Sequence, residues 1–190
     1  MTAADHTSRI VESANADHAS GSQNPHAAQA RPSPAQASLQ LLWSDEDDTA
    51  AFALQLASLP QLSNAYVTLH GDLGAGKTTL VRHWLRALGV QGRIKSPTYA
   101  VVEPHEAPAL AIWHFDFYRF DDPREWEDAG FRDIFASPGL KLAEWPEKAA
   151  TMTPVADIAI YIEAIDELQR QVRLDAYTDA GCSVLKALKA

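Results

Sequence analysis

LHGDLGAGKTTLVRHW, residues 69–84, decides the fold. Within it Gly71 to Thr78 match G-x-x-x-x-G-K-[ST], the P-loop pattern that wraps the phosphates of a nucleotide. Gly71, Gly74 and Gly76 let the backbone turn with its N–H groups inward, where side chains would block the approach of phosphate oxygens. The helix expected from Lys77 adds the positive end of its dipole. Lys77 has the reach for β- and γ-phosphates, and the Thr78 hydroxyl is a ligand for Mg²⁺. Asp72, Leu73, Ala75 and Thr79 complete the nucleotide-binding segment.

The flanks supply the strand–loop–helix context that this motif requires. AYVTLH (65–70) reads as a buried strand running straight into the glycines. Beyond Lys77, the residues Leu80, Val81, Trp84, Leu85 and Leu88 fall on one helix face, and Gly89 stops it. Upstream, LQLLW (39–43) reads as a strand and Ser44 or Asp45 as the cap of a helix carrying Thr49, Phe52, Leu54, Leu56 and Leu59. Downstream, TYAVVE (98–103) and ALAIWHF (109–115) read as an antiparallel hairpin linked through EPHEAPA. PREWEDAG (123–130) has Pro at a helix start and Gly at its end. LKLAE (140–144) is a strand, PEKAATM a short helix, and VADIAIYIEA with LQRQVRLDAY a last hairpin before a helix from about Gly181. This predicts an α/β fold, a P-loop NTPase-like mixed β-sheet with helices on both faces.

Composition sets bounds on function. The chain has 190 residues, with 16 Lys plus Arg against 25 Asp plus Glu, a net charge of −9. Residues 1–38 contain no Leu, Phe, Tyr or Trp and are expected to be a disordered tail, too poor in apolar surface to offset the entropy of ordering. His6, His18 and His26 within it are spaced too widely for a metal site. The tail holds two Arg and three acids, so the P-loop domain expected over 39–190 carries −8. A surface that grips nucleic acid alone needs a basic face, so nucleic-acid binding by the isolated chain is not expected. Cys182 is the single cysteine, which excludes an intramolecular disulfide and fits a reducing compartment. No apolar run approaches the ~20 residues of a membrane span, and the N-terminus lacks the apolar core of a secretory signal. A soluble, cytoplasmic protein is expected.

A nucleotide-hydrolysing site needs an acid for the metal or the attacking water. Asp116 follows the apolar run ALAIWHF at a strand's carboxyl end and is the first candidate; capping the turn before Phe117 is its structural alternative. Glu144 ends LKLA and precedes Trp145-Pro146, where an acid faces the ligand crevice of an α/β sheet. Trp145 either stacks on a base or fills the core. In KSPTY (95–99), Thr98 either meets a γ-phosphate as switch threonines do, or sits in a Ser-Pro turn. Arg119 and Arg132 either stabilise transferred charge or make surface ion pairs.

LHGDLGAGKTTLVRHWLRALGV, SPTYAVVEP, HFDFYRF and EWPEK, in that order, together resemble the TsaE family over residues 39–176. That family comprises small bacterial P-loop ATPases of tRNA threonylcarbamoyladenosine synthesis. They work with a threonylcarbamoyltransferase and its inactive paralogue on adenosine 37 of tRNAs that read codons beginning with A. The resemblance implies ATP and Mg²⁺ as cofactors, with Thr78 and Glu144 as metal partners and Asp116 in a catalytic or metal-organising role. It implies a switch-like element at Ser96, Pro97, Thr98 and Tyr99, a functional role for the Trp145 ring, and an approach of Glu46 and Arg170 to the nucleotide. It also implies that ATP hydrolysis supports turnover of the partner complex and does not form the product bond, so tRNA is met only indirectly. The sequence departs from the family at His83-Trp84, where a glycine is usual, and in its long N-terminal tail.

Two other readings compete. A small-molecule kinase would use the P-loop and nearby arginines for phosphoryl transfer, but no separate lid domain is visible. A GTP-dependent switch would use an Asn-Lys-x-Asp segment, and none of Asn15, Asn24 and Asn64 begins one.

Overall fold

The computed structural model describes residues 9–10, 34–122, 124, 126 and 129–190. The three histidines and most of the expected tail fall outside these, but the last two residues assigned to it, Ala37 and Ser38, already belong to a strand and pair with Ala176 and Asp175. Arg9–Ile10 (β1) pairs antiparallel with Leu41 and Leu42, and β2 spans Ala37–Trp43. The sheet continues with β3 (Tyr66–His70), β4 (Val102–Ala107), β5 (Leu110–Asp116), β6 (Leu140–Glu144), β7 (Ile158–Ala164) and β8 (Arg170–Ala176). Spatial order is β1-β2-β8-β7-β3-β6-β5-β4. The four strands β7, β3, β6 and β5 run parallel; β8 and β4 flank them antiparallel.

Alternation along these strands sorts the core into two layers. Val67, Leu69, Leu140, Leu142, Ile112 and Ile160 face α1 (Glu46–Ala57) and α2 (Lys77–Ala87), packed through Phe52, Leu56, Leu80, Val81, Trp84 and Leu85. Against this layer also lies the terminal helix, α4 (Asp179–Leu188), through Val184 and Leu185. On the opposite face, Tyr66, Phe115 and Ala143 are covered by Phe117, Phe120, Trp126 and Phe131. The fold is thus α/β and P-loop NTPase-like, with helices on both faces.

Local chemistry explains the helix starts. Asp45, and not Ser44, caps α1: its carboxylate accepts from the N–H groups of Asp47 (2.9 Å) and Asp48 (3.1 Å). Asp48 reciprocates by accepting from Ser44 N–H at 2.7 Å. α2 has no side-chain cap, and Gly76 precedes it at φ 113°. Its first N–H groups thus have no side-chain cap among the described residues.

Two elements differ from the sequence reading. Residues 98–100 are a turn and β4 begins at Val102, because the N–H groups of Ala100 and Val101 both bond to the Pro97 carbonyl and Val101 takes φ 64°. The expected link is instead strand through Ala107, with Pro104 opposite Trp113 on the sheet's edge, where a missing N–H is tolerated. Gly130 starts a helix rather than only ending one: at φ 67° it leads into α3 (Phe131–Ala136). The helix expected over 123–130 lies largely outside the described residues; Arg124 and Trp126 are helical.

Candidate active site

Three neighbouring parallel strands bring the site together. β3 delivers the glycine loop, β6 beside it ends at Glu144, and β5 beside that ends at Asp116, directly opposite Glu144 in register. The even-numbered residues of β5 and β6 face α2, so both acids point toward the helix that begins at Lys77. Lys77, Thr78, Thr98, Asp116, Glu144 and Trp145 line one cavity of about 270 Å³, together with Leu73, Gly74, Gly76, Thr79, Ser96 and Tyr118.

The Thr78 hydroxyl lies 2.9 Å from each Glu144 oxygen and donates to that carboxylate. Glu144 is buried, and its Oε1 also lies 2.9 Å from Nε2 of the fully buried His114. Lys77 donates to the carbonyls of Gly71 (2.6 Å) and Asp72 (2.9 Å), and its ammonium sits 4.1 Å from the centroid of the Trp145 ring. Burial pushes the Lys77 pKa below the usual lysine range, opposed by the charges of Glu144, Asp116, Glu147 and Asp72. Trp145 both lines the cavity and packs, half-buried, against the aromatic core cluster; it adopts φ 56° and lies 5.0 Å from Tyr118.

Asp116 is held from three directions. Its Oδ2 accepts from the hydroxyls of Thr98 (2.5 Å) and Ser96, and its Oδ1 accepts from Tyr118 N–H at 3.0 Å. Ser96 and Thr98 are themselves 2.6 Å apart. The turn-capping alternative for Asp116 is thus also realised, through Tyr118, without removing the carboxylate from the cavity. Pro97 does not line the cavity; its carbonyl shapes the turn that presents Thr98.

Other expected residues lie further out. Glu46, on the exposed first turn of α1, pairs with His83 at 2.9 Å. Trp84 is fully buried between helices and sheet, so the substituted pair at 83–84 contributes one surface contact and one core residue. Arg170 donates from Nε to the Ala75 carbonyl at 2.9 Å and braces the loop from outside the cavity. Gly71, Asp72 and Ala75 line a second hollow of about 590 Å³, whose walls include His70, Tyr161 and Arg173. Arg119 stacks on the exposed Tyr99 ring at 4.6 Å. Arg132 lies at a separate hollow beside Thr151–Pro154. The sequence reading missed His114. The signal was present: H-x-D on a strand places His114 and Asp116 on the same face.

Among the described residues no cluster of three or more His, Cys, Asp or Glu could hold a metal. The oxygen pair of Thr78 and Glu144 suits a cation such as Mg²⁺, which keeps most of its shell as water and phosphate oxygen and takes one or two protein ligands. Among the described residues no helix is long and apolar enough to cross a membrane.

The family model described as "Threonylcarbamoyl adenosine biosynthesis protein TsaE" matches residues 43–172, a span that contains every residue of this cavity. The chain belongs to the TsaE family. It is 43% identical over 136 residues to the tRNA threonylcarbamoyladenosine biosynthesis protein TsaE of Haemophilus influenzae, covering 72% of this chain and 85% of that protein. The TsaE proteins of Bacillus subtilis (31% over 139 residues; 72% and 86% covered) and Aquifex aeolicus (33% over 137; 71% and 94%) are also similar. The crystal structure of Bacillus subtilis YdiB shares the fold, with a TM-score of 0.65 at 22% identity, covering 80% of this chain and 95% of that one. The TsaE match begins at Trp43 and ends at Val172, so it omits residues 1–42 and α4.

Proposed function

We propose that this chain binds Mg²⁺-ATP in the glycine loop and hydrolyses it in support of tRNA threonylcarbamoyladenosine synthesis at adenosine 37, in the cytoplasm. The observation that carries the reading is the convergence of Lys77, Thr78, Asp116 and Glu144 on one cavity at the start of α2. Lys77 is already turned onto the loop and supplies the cation for the β- and γ-phosphates. Thr78 and Glu144 would hold Mg²⁺, which would supply positive charge beside the phosphate oxygens. Asp116 orients the attacking water or a water of the metal shell, while Ser96 and Thr98 tie the state of the 96–101 segment to that carboxylate. Trp145 and Arg170 flank the loop on either side, and Glu46 stands at the outer rim.

The partners in this reading are a threonylcarbamoyltransferase and its inactive paralogue, as the family resemblance implies. Hydrolysis is slow without them, and the chain does not itself transfer the threonylcarbamoyl group. The −8 carried by residues 39–190 supports indirect action on tRNA, because direct gripping would set like charge against like. The test measures binding to the transferase–paralogue pair by interferometry and to tRNA by anisotropy, each with ATP, ADP and no nucleotide. The reading expects nucleotide-dependent partner binding and very weak tRNA binding. Tight, salt-sensitive tRNA binding by the chain alone would sink the indirect route, and partner affinity identical in all three states would sink the switch.

A further inference from the structure

We infer that His114 is a positioning residue that decides which oxygen of Glu144 is free to meet the metal. The inference rests on the reading of Glu144 as a Mg²⁺ partner. His114 is fully buried, and its Nε2 lies 2.9 Å from Glu144 Oε1. A carboxylate oxygen accepts, so Nε2 carries the proton. The other ring nitrogen, Nδ1, is buried and has no hydrogen-bond partner among the described residues. The ring thus makes one polar contact, and that contact is Glu144. A histidine whose only task was to fill the core would be replaced by a phenylalanine of similar shape without loss; here a polar ring is kept at the expense of a bare nitrogen.

The consequence lies in the two oxygens. Oε1 accepts from both His114 and Thr78, whereas Oε2 accepts from Thr78 alone. The terminal torsion of a glutamate is broad and roughly two-fold, so nothing in the side chain itself distinguishes the oxygens. The N–H of His114 does. It pins Oε1 and leaves Oε2 with the spare lone pairs. It also keeps the buried carboxylate anchored when the Thr78 hydroxyl turns to another partner.

The test compares His114→Phe, His114→Asn and His114→Gln with the native chain. Gln places an amide N–H near the position of Nε2; Asn carries the donor too short to reach; Phe removes it. ATP affinity is measured by calorimetry with Mg²⁺ and with EDTA, and folding by thermal denaturation. Phe and Asn are expected to lose about tenfold in Mg²⁺-ATP affinity and little in EDTA, with Gln within about threefold of native. If Phe fails to fold, Asn carries the comparison. A folded Phe or Asn variant with native Mg²⁺-ATP affinity overturns the inference, as does equal loss with and without Mg²⁺. A native chain whose ATP affinity ignores Mg²⁺, matched by Glu144→Gln, overturns instead the metal reading on which it rests.

Discussion

The Thr78 hydroxyl is equidistant from the two oxygens of Glu144, 2.9 Å from each, joining the first turn of α2 to the end of β6. It is a direct side-chain link between helix and acid. Thr78→Val keeps the shape and removes the donor, leaving the buried carboxylate with His114 alone. Stability without nucleotide should fall by about 1–3 kcal/mol, read by chemical denaturation in EDTA. The gain in ATP affinity on adding Mg²⁺ should vanish in the same variant.

Lys77→Ala removes the ammonium that now rests on the Gly71 and Asp72 carbonyls. A charge-assisted phosphate contact is worth roughly 1.5–3 kcal/mol, so ATP affinity should drop about ten- to a hundredfold. Calorimetric titration checks this, and unchanged affinity would remove Lys77 from the phosphate site.

Asp116→Ala should separate chemistry from binding. Its carboxylate meets hydroxyls and a backbone N–H in the cavity but does not touch the loop itself. Turnover measured with the partner proteins present should fall far more than ATP affinity. Full turnover in the folded variant would make Asp116 dispensable.

Two loop glycines should respond differently to alanine. At Gly71 (φ 137°) an added Cβ would run into the Ile162 carbonyl, a backbone group that cannot step aside. At Gly74 (φ 83°) it would meet open space and bear only the conformational cost, about 1–2 kcal/mol. Gly71→Ala should therefore lower the melting temperature clearly more than Gly74→Ala. Equal shifts would mean that the packing of the loop on β7 is unimportant.

His70 gives a stability dependence on pH. Burial, then the charge of Arg173, pushes its pKa down to about 4; Asp175 opposes this and Lys77 adds to it. The ring stacks on Tyr161 at 4.5 Å and accepts or donates at Thr68 Oγ1 at 3.0 Å. Against an unfolded value near 6.5, the unfolded chain binds more protons between about pH 4 and 6.5, so stability falls as pH drops through that window. The full loss is on the order of 3 kcal/mol. His70→Gln should flatten this part of the profile relative to native, measured by urea denaturation from pH 4 to 7; parallel profiles would refute it.

Much of this site was legible because it is local or periodic. The glycine loop declares itself in eight consecutive residues, and β3, β6 and β5 are apolar runs that end in the site. Asp116 and Glu144 were found as acids closing such runs. What was not legible depended on pairing across the sheet. Nothing in TYAVVE reveals that Val101 would take a left-handed conformation, since that follows from the hold of Pro97 and Asp116 on the turn. Pro104 read as a link because proline weakens most strands, and only its place on the edge makes it harmless. His114 passed unnoticed because its partner is 30 residues away on a neighbouring strand. Glu46 pointed toward the nucleotide by family likeness, whereas the structure pairs it with His83.

Val101 is β-branched and stands at φ 64°, a conformation its own side chain disfavours. It stays there because its N–H bonds to Pro97 and its carbonyl accepts from Asp116 N–H at 2.9 Å. The hydroxyls of Ser96 and Thr98, at the head of the same turn, close on one oxygen of Asp116. The turn therefore behaves as a latch under tension, fastened at both ends to a single aspartate. Under the proposed function, a cation bound with the triphosphate would compete for that carboxylate and would loosen both fastenings together. The exposed Tyr99, carried on the turn with Arg119 stacked upon it, would then be the part of the surface whose position reports what the nucleotide site contains.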